Sequence, residues 1–200
     1  MLARTVLLCA AAMALLAAAP AKAPALRALT CALPVKKGDT AASLKQRYGR
    51  QAKAMQIPGA EGEMVRGMAL WPNDPARRID VFFDEAPHKR VETIRLTDPR
   101  SRWRIGGLGV GSRLDAVLRA NGRAVQIGGF GWDYGGAVDP RGGKLAKWPG
   151  GCRIGLVMDV GRGVANVPDG ISGDGLVLRH DDSRLKAVRP EVTKLYISWW

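Results

Sequence analysis

Histidine and cysteine are scarce in this 200-residue chain, at two and three residues, and aromatics make up only 6% of it. His88 and His180 stand alone, without the spaced His, Cys or carboxylate sets that zinc and calcium sites require, so no metal is expected. No serine sits in a nucleophile-elbow motif, and no cofactor motif is complete. Acids are the minority charge, 18 against 31 Lys and Arg, for a net charge of +13. The 25 glycines and 12 prolines keep no three-residue period, which excludes a collagen-like chain, and a 46% apolar content mixed with both charges excludes a disordered one. A packed fold is expected, burying roughly two-thirds of the unfolded surface.

The N-terminus has the three-part layout of an export signal: basic Arg4, an apolar run from Val6 to Ala19, and the small-residue stretch Ala19-Pro20-Ala21-Lys22-Ala23. The Ala-rich run is too short for a membrane-spanning helix, which needs about 20 residues. Neither Cys9 nor Cys31 follows a lipidation box. Cleavage near residues 21–25, here drawn after Ala23, removes Arg4 and Lys22 and lowers the net charge by two, from +13 to +11. It also removes Cys9 and leaves Cys31 and Cys152 as an even pair in an oxidising compartment, where a disulfide is expected. The expected location is periplasmic or secreted. Lys and Arg are scattered among acids rather than gathered in a stripe, and export takes the chain away from cytosolic DNA and RNA, so nucleic acid is excluded as a partner. The expected partner is an envelope protein or an anionic envelope component, with peripheral membrane contact as one form of the latter.

The chain also repeats itself. Gly38 to Arg50 aligns with Gly111 to Arg123, Gln56-Ile57 with Gln126-Ile127, Trp71-Pro72 with Trp148-Pro149, Arg78-Ile79 with Arg153-Ile154, and Val91-x-x-Ile94-x-Leu96 with Val192-x-x-Leu195-x-Ile197. Each copy predicts a helix of about three turns, capped by Asp39 or Thr40 in the first and by Ser112 in the second, and stopped by Gly49 and Gly122. Period-two patterns then predict strands at Ile79 to Phe83, Ile154 to Met158, Ile94 to Leu96 and Leu195 to Ile197, with an earlier strand ending at Trp71 in one copy and at Trp148 in the other. The predicted fold is α+β: two tandem helix-strand-strand-strand units forming antiparallel sheet, with helices on one face and the other face open. The organisation reads as a leader over 1–23, an extension over 24–37, a first unit over 38–105, and a second over 106–200 carrying an inserted loop at 160–187. Gly106 to Gly111 lacks the Lys-Ser/Thr of a phosphate loop and reads as a flexible link between the units.

The Gly-x6-[Leu/Val]-x3-[Tyr/Asn]-Gly pattern over 38–49 and 111–122, repeated ahead of antiparallel strands in an exported chain, resembles the tandem architecture of β-lactamase inhibitor protein and of the small outer-membrane assembly lipoproteins of its superfamily. The run Gly129-Phe130-Gly131-Trp132-Asp133-Tyr134-Gly135-Gly136 also resembles a family of uncharacterised exported bacterial proteins. The first resemblance implies a binding, inhibitory or assembly protein rather than a catalyst. The cysteine pairs of that family's individual units are absent here.

Gly128 to Lys147 reads as an extended hairpin turning at Asp139-Pro140-Arg141-Gly142-Gly143. Trp132, Asp133 and Tyr134 offer aromatic faces and a carboxylate to a sugar ring or a cationic side chain, and with Trp148 they are the candidate binding residues. The alternative is a hairpin whose Trp and Tyr fill the core. A catalytic reading, an envelope hydrolase or carbohydrate-active protein, would use Asp133, Asp159 or His180. Asp84 and Asp159, at equivalent strand ends, suit a turn-bonding role as well as an acid-base pair.

Overall fold

The computed structural model describes residues 25–84 and 89–199; the expected leader and His88 lie outside them. The elements run in order as strand β1 (Arg27–Ala28), helix α1 (Ala41–Tyr48), a 3-10 turn at Gly49–Gln51, and strands β2 (Ala52–Pro58), β3 (Met64–Leu70), β4 (Ile79–Phe83), β5 (Val91–Leu96) and β6 (Trp103–Arg104). Helix α2 (Leu114–Asn121) follows, then β7 (Gln126–Gly128), β8 (Val138–Asp139), β9 (Arg153–Asp159), β10 (Val177–Arg179), α3 (Ser183–Val188) and β11 (Glu191–Ser198). The fold is α+β, with mostly antiparallel sheet and few helices. β2-β3-β4-β5-β11-β9 form one six-stranded sheet, β10-β7-β8 a three-stranded one, and β1 pairs with β6 in parallel.

Register explains why the central strands alternate. Met68, Val81, Ile94, Ile197 and Ile154 lie in one row across the large sheet, and Leu70, Ile79, Leu96, Leu195 and Leu156 in the next, all on the same face. That face is the core: none of the ten is more than 3% exposed. The same apolar cluster takes in Leu44 of α1, Val117 of α2, and Trp103, Ile105 and Leu108. Cys31 and Cys152 form a disulfide with Cα atoms 5.5 Å apart, tying the N-terminal segment to the start of β9. Trp199 donates its indole N–H to the Cys31 carbonyl at 2.9 Å, which holds the segment after β11 against the same bridge.

Several sequence expectations are corrected. Both longer helices have eight residues, little more than two turns rather than three. Thr40, not Asp39, caps α1, in a reciprocal box with Ser43; Asp39 is buried and paired with Arg47 at 2.7 Å. Ser112 does not cap α2: its hydroxyl accepts from Gly109 N–H, and Arg113 occupies the cap position without a side-chain bond. Gly106 to Gly111 is no flexible link, because Ile105 and Leu108 exchange two 2.9 Å backbone bonds around Gly106 and Gly107, both at positive φ, and Leu108 is buried. No strand ends at Trp148; Lys144 to Trp148 is a turn in which Leu145 points inward. The inserted 160–187 stretch holds β10, as expected of its Leu176-Val177-Leu178 run, and also the start of α3.

Candidate functional site

The opposite face of the large sheet carries different chemistry. Asp80, Arg95 and Tyr196 share one row, and Phe82, Thr93 and Ser198 the next. Arg95 lies 3.1 Å from Asp80, both about nine-tenths buried, and its guanidinium stacks 4.8 Å from the Phe82 ring centroid. Arg78 reaches the other Asp80 oxygen at 3.0 Å. Thr93 and Ser198 join hydroxyls at 3.0 Å across the β5-β11 seam.

Two loops wall this face and leave a groove of about 730 Å³ between them. One is the β2-β3 hairpin, which turns at Ala60-Glu61-Gly62-Glu63 with Glu61 and Gly62 both at positive φ and a 3.0 Å bond from Glu63 N–H to the Ala60 carbonyl. This is the mirror-image turn whose twist matches antiparallel strands. Within the hairpin, Gly67 of β3 makes room for the fully buried Ile57 side chain of β2: a Cβ at Gly67 would stand 2.4 Å from Ile57 Cδ1. The other wall is the 129–137 loop between β7 and β8. Its anchor is Gly136, whose carbonyl accepts from Met158 N–H at 2.8 Å and where a Cβ would collide with the Met158 carbonyl oxygen at 1.7 Å.

The expected hairpin therefore exists but turns at 129–137, not at Asp139 to Gly143. That second stretch is a separate turn fixed by buried Asn121, which donates to the Pro140 carbonyl at 2.9 Å and accepts from Leu145 N–H. Trp132, Asp133 and Tyr134 sit at the tip of the first loop. Trp132 donates to the Gly129 carbonyl at 2.8 Å and meets Tyr134 edge to face at 5.6 Å. Tyr134 is exposed and donates to Glu61 Oε1 at 2.5 Å, joining the two walls. The Glu61 hydrogen bond, with the charges of Glu61, Asp133 and Glu63, raises the Tyr134 phenol above its ordinary pKa.

The candidate residues separate into three places. Asp133 and Tyr134 line the groove, and Trp132, Asp133 and Asp159 line an adjoining cavity of about 330 Å³ with Lys194. Trp148 lies elsewhere, its ring filling the space above Gly106. His180 is also apart, lining a cleft between α2 and α3 and a second one beside Arg123 and Arg141. Asp84 accepts from Arg90 N–H at 2.5 Å and Asp159 from Val160 N–H at 2.7 Å, local turn bonds of the kind expected for strand ends. Sequence reasoning missed Glu61, Glu63, Arg95, Lys194 and Tyr196 in the groove. The Gly59-Ala60-Glu61-Gly62 turn signal between apolar stretches is the clue that could have revealed the hairpin.

Compared with known protein families, curated proteins and solved structures, the chain matches none.

Proposed function

We propose that this chain is an exported, non-enzymatic binding protein of the cell envelope that captures a protein partner on the open face of its large sheet. One observation carries the reading: the core closes one face completely, while the other is left as a broad walled groove lined by half-buried Phe82 and Tyr196 and exposed Tyr134. Aromatic side chains with a polar end are the usual anchors of protein interfaces. The strand order supports reading the chain as two units, α1-β2-β3-β4-β5 and α2-β7-β8-β9-β11, placed tail to tail at the β5-β11 seam. An Ala137-Val157 bridge connects β8 toward β9 and continues the second unit outward. On this reading the resemblance to β-lactamase inhibitor protein extends to function, inhibitory or assembly-related.

A photo-cross-linking residue at Tyr196, in the groove, should capture a discrete envelope partner, whereas the same residue at Lys45 on α1 should not. Equal capture from both positions, or none from Tyr196, refutes the reading. The shared cavity of Asp133 and Asp159 favours, as the second reading, a hydrolase, although His180 lies outside that cavity. Turnover of peptidoglycan fragments that is lost in D133N or D159N would establish it.

A further inference from the structure

The groove has the opposite charge balance to the chain. Lys and Arg outnumber acids 31 to 18 overall, yet the charged residues lining the groove are Glu61, Glu63, Glu92 and Asp133 against Arg95 and Lys194. Arg95 is already spent on buried Asp80, so four carboxylates face a single remaining lysine. The inversion has a backbone cost. Glu61 holds φ at 50°, the first of two left-handed positions in its turn, which Asn or Gly would occupy with less strain. Arg95, 7% exposed at the groove floor, keeps its Nε–H buried and its guanidinium on Asp80, so it offers no charge to the groove, whereas the rings of Tyr134 and Tyr196 on the same lining are a second feature suited to a cation.

We infer that the groove takes a basic loop of another protein, with Lys or Arg head groups between the carboxylates of Glu61, Glu63, Glu92 and Asp133 and their aliphatic stems against Tyr134 and Tyr196. The inference rests on the proposed use of this face and adds the partner's chemistry. Ammonium and guanidinium groups are recognised here twice, by carboxylates and by aromatic faces. The Tyr134-Glu61 bond across the walls supplies a carboxylate already oriented toward the groove, and an arriving cation takes the place of the phenol proton as its partner. The chain's net positive charge adds selectivity: a polycation is repelled before it docks, whereas a basic loop on an otherwise acidic protein is drawn in.

The test titrates the ¹⁵N-labelled mature chain with three blocked pentapeptides, Gly-X-Gly-X-Gly with X as lysine, norleucine or glutamate, and follows backbone amide shifts. The lysine peptide is expected to move amides at 61–63, 92–95, 133–134 and 194–198, and the glutamate peptide to leave them in place. The exposed-site double variant E61Q/D133N, whose remaining spectrum reports an intact fold, is expected to bind the lysine peptide at least about tenfold more weakly. Norleucine binding as tight as lysine, or lysine binding unchanged in the double variant, overturns the cationic chemistry while leaving the groove as a docking face. Lysine-peptide shifts confined to other parts of the molecule, or none, overturn both.

Discussion

Removing the Cys31-Cys152 bridge is the perturbation whose magnitude the structure fixes most directly. The two residues are 121 positions apart, so the bond closes most of the described chain into one loop. On the chain-entropy estimate such a closure stabilises the folded state by about 5 kcal/mol, almost all of it by restricting the unfolded chain. Both half-cystines are buried, and the bridge abuts Trp199 through the Cys31 carbonyl, so replacement also loosens local packing. The comparison is urea unfolding of the oxidised protein, the reduced protein, and C31A/C152A, followed by tryptophan fluorescence. With a slope of about 2 kcal/mol per molar urea, the midpoint is expected to fall by about 2.5 M in both bridge-less forms. Agreement between the reduced wild type and the double variant would assign the loss to the cross-link rather than to the alanines. A shift below about 0.5 M in the reduced protein would refute the reasoning, because it would mean that the unfolded chain gains little freedom when the loop opens.

Three further outcomes follow, two from the groove and its walls and one from buried Asp39 beside α1. R95M strips buried Asp80 of its more deeply buried partner and leaves only half-buried Arg78; a loss of about 3 kcal/mol is expected, partly recovered in D80N/R95M, and a single-variant loss under about 1 kcal/mol by urea unfolding contradicts it. W132A removes the indole bond to Gly129 and the edge contact with Tyr134, at about 2 kcal/mol or less, and is expected to abolish capture from the groove; a larger stability loss, read by thermal unfolding, would assign Trp132 to core packing. Acid sensitivity follows from Asp39. Burial alone would raise its carboxyl, but hydrogen bonds from Arg47, Lys36 N–H and Ser43, with the Arg47 charge, hold it below its ordinary 3.8. A depressed folded pKa means that the stabilisation is complete above 3.8 and is lost as pH falls below that value toward the folded one. The stability gap between wild type and D39N should therefore narrow as urea midpoints are taken from pH 6 down to pH 2.5, and a constant gap would rule out the linkage.

The strands that sequence reasoning located are those with one dry face. Ile154, Leu156 and Met158 alternate with less buried neighbours because β9 turns one side to the core, and in β4 the apolar Ile79 and Val81 flank Asp80, which is buried on the opposite face by its arginine partners. β2 escaped notice because it buries only Ala52 and Ile57, which an odd spacing puts on opposite sides of the strand, so no period of two shows. The short α3 has too few residues to show a helical period. The disulfide was legible by counting, once Cys9 was set aside with the leader. Asp133 and Tyr134 were legible because glycines frame them, whereas Glu92, Arg95 and Lys194 were not, since they meet only where β5 and β11, a hundred residues apart in sequence, lie side by side. Phosphate-like glycine spacing at Gly106 misled toward flexibility, because a run of glycines looks the same whether it is loose or folded into a tight turn.

The position of β11 between β5 and β9 has a consequence for biogenesis. Of the large sheet's strands it is the last to be synthesised, yet it completes the interior, so every shorter nascent chain presents two bare edges with nothing between them. Such a chain needs shielding from strand-to-strand aggregation until β11 emerges, and a product lacking that strand would keep its two groups of strands linked by the Cys31-Cys152 bridge but not by a continuous sheet.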